Sequence, residues 1–130
     1  MIEFTSTINP TIDRLRANGS SVLVLTEPPR HHKNPVIDKM KYIMTGRDTL
    51  VKPITRAEHQ ARVAEIYSIF DQSGIDLRLD YSDFFCGTGH CITELNGRSL
   101  YRDREHISIY ASRLFAEKLV ADMQSHGYLN

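Results

Sequence analysis

"SVLVLT", residues 21–26, is an unbroken run of β-branched residues and leucine, set off by Asn18-Gly19 before it and Glu27-Pro28-Pro29 after it. A half-exposed strand alternates polar and apolar residues, whereas a strand covered on both faces of a parallel sheet does not. The run is therefore read as a strand buried on both faces, and the segments around it as the layers that cover it. Upstream, Phe4, Ile8, Ile12 and Leu15 fall at helical spacing between Ile2 and Ala17, with Pro10 expected to restart or kink that helix. Downstream, a long polar connection containing "PPRHHKNP" runs to Pro53, with a short helix expected over Val36 to Met44 and a turn near Gly46. Thr55 and Glu58 have capping-box spacing and open a helix that carries Val63, Ile66, Tyr67 and Phe70 on one face and closes at Ser73-Gly74. "IDLRLDY", residues 75–81, alternates as a strand with one better-covered face does. Asn96-Gly97 lies between two short β-prone arms and predicts a tight hairpin. Ser108 is the expected N-cap of a last helix that turns Leu114, Phe115, Leu119 and Met123 inward.

The order helix, strand, helix, strand, hairpin, helix predicts an α/β fold, with a mostly parallel sheet and helices on both faces. Ligands of such sheets gather beyond the carboxyl ends of the strands. Here those ends lead into the loop after Thr26 and the segment after Leu79, and Asp103 to His106 fall at the same end. At 130 residues the chain suffices for one modest core, so a single domain over 1–130 is expected.

Sixteen acidic and sixteen basic residues balance. Nothing in that balance suggests electrostatic attraction to nucleic acid, to an anionic membrane or to a polyanionic substrate. No apolar run reaches the roughly 20 residues that span a bilayer, and "MIEFTSTINP" lacks the basic start and apolar stretch of a signal peptide. A complete product with this sequence would stay in the cytoplasm. The two cysteines, Cys86 and Cys91 in "FFCGTGHCI", sit five apart around a glycine-rich turn. They are close enough for a small disulfide loop in an oxidising compartment, and in a reducing one they are two half-buried thiols. A zinc site on Cys86, His90 and Cys91 would need a fourth ligand and lacks knuckle spacing, so no metal is expected.

"LYRDREHISIYASRLFAEKL", residues 100–119, carries an aspartate and a histidine three apart just ahead of the last helix. This block resembles the final motif of the SGNH (GDSL-type) esterase and acyltransferase superfamily. The closest likeness is to the SGNH domain fused behind the membrane-spanning part of bacterial O-acyltransferases that acetylate cell-surface sugars. "VLVLTEPP", "FFCGTGHC" and "NGRSLYRD" agree with it in order, and the likeness runs from about Thr11 to Asp122. It implies a three-layer α/β/α, flavodoxin-like sheet, no cofactor, and Asp103 and His106 as catalytic residues. In that family the aspartate orients the histidine, which takes a proton from a serine and later returns one to the leaving alcohol. A turn places residues three apart on one side, so a carboxylate can reach Nδ1 while Nε2 faces outward. Read without the likeness, Asp103 caps a turn and His106 is a surface residue.

The departure from the family pattern lies upstream. The family's nucleophile sits in a Gly-Asp-Ser motif after the first strand, and its oxyanion donors come from two further blocks; none of these is present here. Ser20 and Ser21 precede a strand instead of following one, Ser108 is explained as a cap, and Ala111 stands where the family commonly has glycine. The resemblance implies a partial domain, the back portion of the fold, whose partner is an upstream nucleophile-bearing and membrane acyltransferase segment and whose substrate, once completed, is an acylated sugar. In that setting the domain would be periplasmic. The alternative is a non-catalytic interaction or regulatory protein that binds through an exposed sheet edge; a free-standing hydrolase using Ser108 or a cysteine is a third. Missing the first strand, a partial domain would keep an unpaired inner strand, so self-association or poor solubility is expected of the chain alone. Among other residues, His31 and His32 are read as solvated loop histidines and Glu27 as a carboxylate leaving the sheet into water. Leu100 and Tyr101 are expected to pack the hairpin, and His59, His90 and His126 are taken as exposed.

Overall fold

The computed structural model describes residues 2–47 and 52–130. The elements are α1 (Ile2–Ala17), β1 (Leu23–Leu25), α2 (Pro35–Thr45), α3 (Arg56–Gln72), β2 (Leu77–Leu79), α4 (Ser82–Cys86), β3 (Glu94–Leu95), β4 (Arg98–Ser99) and α5 (Ile109–Ser125). β1 and β2 pair in parallel with Leu23, Val24 and Leu25 opposite Leu77, Arg78 and Leu79. The ladder gains one bond at each end, from Asp76 N–H to Val22 O and from Thr26 N–H to Leu79 O. This is an α/β arrangement around a small parallel sheet.

Both strands are shorter than their apolar runs. Val22 N–H donates to the Asp76 carboxylate at 2.7 Å instead of to a strand. Arg16 of α1 ties the same carboxylate at 2.8 Å and also donates to Gly74 O. Side chains thus close the entry to the sheet where a ladder would continue. The expectation that residues 21–26 are buried on both faces fails at Leu25, which is 51% exposed. Among the described residues β1 has one neighbouring strand, so its other edge carries no second strand.

Helix starts follow their sequence signals closely. Thr55 Oγ accepts from Glu58 N–H while the Glu58 carboxylate accepts from Thr55 N–H, so the capping box forms in both directions. Asn34 Oδ1 caps α2 and Pro35 takes its first turn, where a missing N–H costs nothing. Pro10 does not break α1, which runs continuously through it. Pro10 lies on the exposed side, where water can take the place of the absent backbone bond. α4 is an element that the apolar-period reading missed: five residues are too few to show a helical period, and the cue is Asp80, whose carboxylate accepts from both Ser82 N–H and Ser82 Oγ–H.

The hairpin β3–β4 forms across Asn96-Gly97, both at positive φ (52° and 72°), as a two-residue turn with that sequence requires. Behind it lies the core, built on Leu79, Tyr81, Phe85, Leu100, Tyr101, Ala111 and Phe115. Phe115 stacks on Tyr81 at 5.1 Å and meets Phe85 at 5.2 Å, and Phe85 meets Tyr101 at 5.6 Å. Cys86 and Cys91 form a disulfide with Cα atoms 3.7 Å apart. It is buried in the same core and fastened to the start of α3 by Cys91 N–H donating to Ile54 O. Because Leu100 and Tyr101 are anchored here, the loop that follows them has a fixed base.

Candidate active site

Between Tyr101 and Ser108 the chain makes a closed loop. Tyr101 bridges Ile107 in antiparallel fashion, and Arg102 N–H donates to His106 O at 2.8 Å. Inside it, Asp103 Oδ1 accepts from the backbone N–H groups of Glu105 (2.9 Å) and His106 (2.8 Å). Asp103 Oδ2 is left to face the imidazole, and His106 Nδ1 lies 2.8 Å from it. The hydrogen bonds from Glu105 N–H and His106 N–H, then that from the His106 ring, hold the Asp103 carboxyl far below the usual carboxylate range. An ionised Asp103 favours the tautomer with the proton on Nδ1, which leaves the lone pair on Nε2. His106 has 61% of its side chain exposed.

A second loop fixes this one from the side of the parallel sheet. The chain leaving β1 presents Pro29 O to the Tyr101 hydroxyl at 2.8 Å, His31 N–H to Arg104 O at 2.8 Å, and the Arg30 guanidinium to Glu105 at 2.8 Å. The Asp103–His106 pair therefore sits at the carboxyl end of β1. Ser108 caps α5, accepting from Ala111 N–H at 3.1 Å while donating to Ser99 O at 2.7 Å, so its hydroxyl is committed on both sides. Ser20 and Ser21 lie before β1, at the opposite end of the strand. Among the described residues no hydroxyl is hydrogen-bonded to Nε2 of His106.

Two histidines depart from their sequence reading. His31 is buried, not solvated: its ring stands edge-on to Tyr101 at 4.7 Å, and burial, with His32 beside it, lowers its pKa to about 4. His32 stays exposed, 3.7 Å from Glu58. His59 is also buried, at 1% exposure, because it points from α3 toward α4 and places Nε2 3.1 Å from Ser82 Oγ. Asp80, Ser82 and His59 thus form a serine, histidine and aspartate cluster that spacing in the sequence does not reveal. Its order is wrong for a nucleophile, since Ser82 donates its proton to Asp80, a carboxylate, and not to the imidazole. Among the described residues His59 Nδ1 has no partner, and burial lowers the pKa of the ring, so a neutral imidazole ties α3 to α4. Glu27 is exposed, in keeping with a carboxylate leaving the sheet.

Two of the cavities lie along the chain that leaves β1, and neither is lined by Asp103 or His106. One of about 180 Å³ lies behind His31, between Asp38, Lys39 and Thr93. The other, about 110 Å³ and apolar, sits at the end of β1 between Leu25, Tyr81, Phe85, Ile107 and Phe115. Among the described residues no three His, Cys, Asp or Glu side chains converge to hold a metal ion, and both cysteine sulfurs are used in the disulfide.

The fold is thus an α/β scaffold whose Asp-x-x-His pair lies at the carboxyl end of β1. A family model described as the SGNH domain fused to AT3 domains matches residues 2–121, and the chain belongs to that family. AT3 domains are acyltransferase domains, so the membership is in an SGNH superfamily associated with acyltransferases. No curated protein and no solved structure matches the chain.

Proposed function

We propose that the chain is the acid–base portion of an SGNH-type O-acyltransferase or esterase domain acting on acylated cell-surface sugars, with Asp103 and His106 as its catalytic pair. The carrying observation is the 2.8 Å contact of Asp103 Oδ2 with His106 Nδ1, made by an ionised carboxylate to an exposed ring. In this reading Nε2 takes the proton of a serine that attacks the acyl carbonyl, Asp103 stabilises the imidazolium, and the proton returns to the leaving alcohol. The sequence contains no Gly-Asp-Ser, so the serine and the oxyanion donors come from an upstream acyltransferase segment, which also completes the three-layer sheet. Residues 1–130 then form one partial domain. The open edge of β1 and the exposed Leu25 support this, since they lie where further sheet would join. The buried disulfide supports an oxidising compartment, periplasmic for a domain linked to a membrane acyltransferase.

Histidine and aspartate only move a proton; the covalent step needs a hydroxyl at Nε2 and donors aimed at the oxyanion. Losing one such donor alone costs on the order of 100- to 1,000-fold. The chain by itself is expected to hydrolyse p-nitrophenyl acetate no faster than free imidazole. Mixed with a fragment carrying a Gly-Asp-Ser block, it should gain activity that His106→Ala removes. A fast rate from the chain alone that survives His106→Ala would refute the assignment. The same open edge favours a second reading, a non-catalytic protein that binds through β1; in that case the mixture associates without acquiring esterase activity.

A further inference from the structure

We infer that α2 is a docking face for an anionic lipid surface. Its capped side is held against the protein by Asp38, which is buried, and by Lys39, which pairs with Glu94 at 3.4 Å. The opposite side is apolar and uncovered: Ile37 is 48% exposed, Met40 56%, Ile43 70% and Met44 81%. Residues three and four apart are neighbours on a helix, so Ile37, Met40 and Met44 form one stripe and Ile43 widens it. No other element of the described structure exposes as many as four large apolar residues.

Charge decides between possible occupants. The whole chain is neutral, yet residues 33–52 carry Lys33, Lys39, Lys41, Arg47 and Lys52 against Asp38 and Asp48, a net charge of +3. Lys41 stands one turn from both Ile37 and Met44, on the border of the stripe, and Arg47 follows the C-cap. Among the described residues Lys33, Lys41 and Arg47 have no ion-pair partner. A second copy of the chain docked on this face would bring like charges together, which opposes association. An anionic headgroup layer satisfies both features at once, because methionine and isoleucine enter the acyl boundary while lysine stems extend along it and keep their ammonium groups in the headgroups. Eleven residues give a helix of about 16 Å, which lies in an interface and does not span one. The inference is independent of the roles given to Asp103 and His106.

Sedimentation of the full chain with vesicles tests it. Binding is expected to vesicles of equal parts phosphatidylglycerol and phosphatidylcholine, at least tenfold weaker to phosphatidylcholine alone, and weaker again at high salt. Met44→Glu, at a position too exposed to affect folding, should weaken binding by about tenfold or more, and Lys41→Glu should weaken it on anionic vesicles only. Val120→Glu, at an exposed apolar site on α5, should leave it unchanged. Three results would each overturn the proposal: no binding to anionic vesicles, equal loss with Val120→Glu, or a Met44→Glu variant that loses self-association while retaining lipid binding.

Discussion

His31 and Asp103 lie on facing loops and answer to acid in separate ranges. Burial holds the folded pKa of His31 at about 4, against 6.5 for a free ring. Between those values the unfolded chain binds a proton that the folded chain does not. Stability is therefore complete above pH 6.5 and declines as pH falls toward 4, by on the order of 2–3 kcal/mol. Urea midpoints at pH 7 and pH 4.5 should differ accordingly, and His31→Leu should flatten the decline; an unchanged slope in that variant would exclude His31 as its source. Asp103 contributes in the other window, since its lowered pKa gives stability that is lost only as pH falls below the ordinary carboxylate range. Asp103→Asn makes a finer test of the pair. Asparagine keeps an acceptor for the two backbone N–H groups but presents an amide donor to Nδ1, so the proton of His106 should move to Nε2. Nitrogen-15 spectra of the ring should show that tautomer, and an unchanged Nδ1-protonated ring in the variant would exclude Asp103 as the group that sets it.

Single elements depend on a few local bonds. The capping box of α3 satisfies two N–H groups that would otherwise lack helix partners, so Thr55→Ala should cost about 1 kcal/mol. The same change should not reach the hairpin, whose turn rests on the positive φ of Asn96 and Gly97. The Cys86–Cys91 loop is short, and chain entropy over six residues is worth about 2 kcal/mol. The double change to serine should lower stability by at least that amount, since both sulfurs lie in the core. Equal denaturation midpoints for the oxidised and reduced protein would contradict this.

At the scale of the molecule, the two-stranded parallel sheet leaves the free edge of β1 beside Leu25. A strand edge with unpaired N–H and C=O groups is a template for another chain. The isolated protein is expected to self-associate as concentration rises, and a Leu25→Lys variant to remain monomeric by light scattering. A wild-type chain that stays monomeric at high concentration would show that the edge is protected in some other way.

Contacts within a few residues of each other were legible in the sequence: the capping box, the Asn96-Gly97 hairpin, the cap at Ser108, and the reach of Asp103 to His106 three positions on. Such features depend on local backbone geometry, which residue type largely dictates. The parallel pairing of two apolar runs was legible too, because only strands accommodate those patterns. What burial does to a side chain was not. "PPRHHKNP" reads as polar loop, yet His31 is driven inside because Tyr101, seventy residues later, offers its ring and the loop beneath it accepts a backbone bond. His59 was taken for a surface residue until α4, itself too short to show a period, brought Ser82 to its ring. Residues 21–26 read as a strand covered on both faces, and only the tertiary structure shows one edge and Leu25 left open. Burial is set by which distant segments meet, and a linear pattern records each segment's preference for cover without recording whether the cover is there.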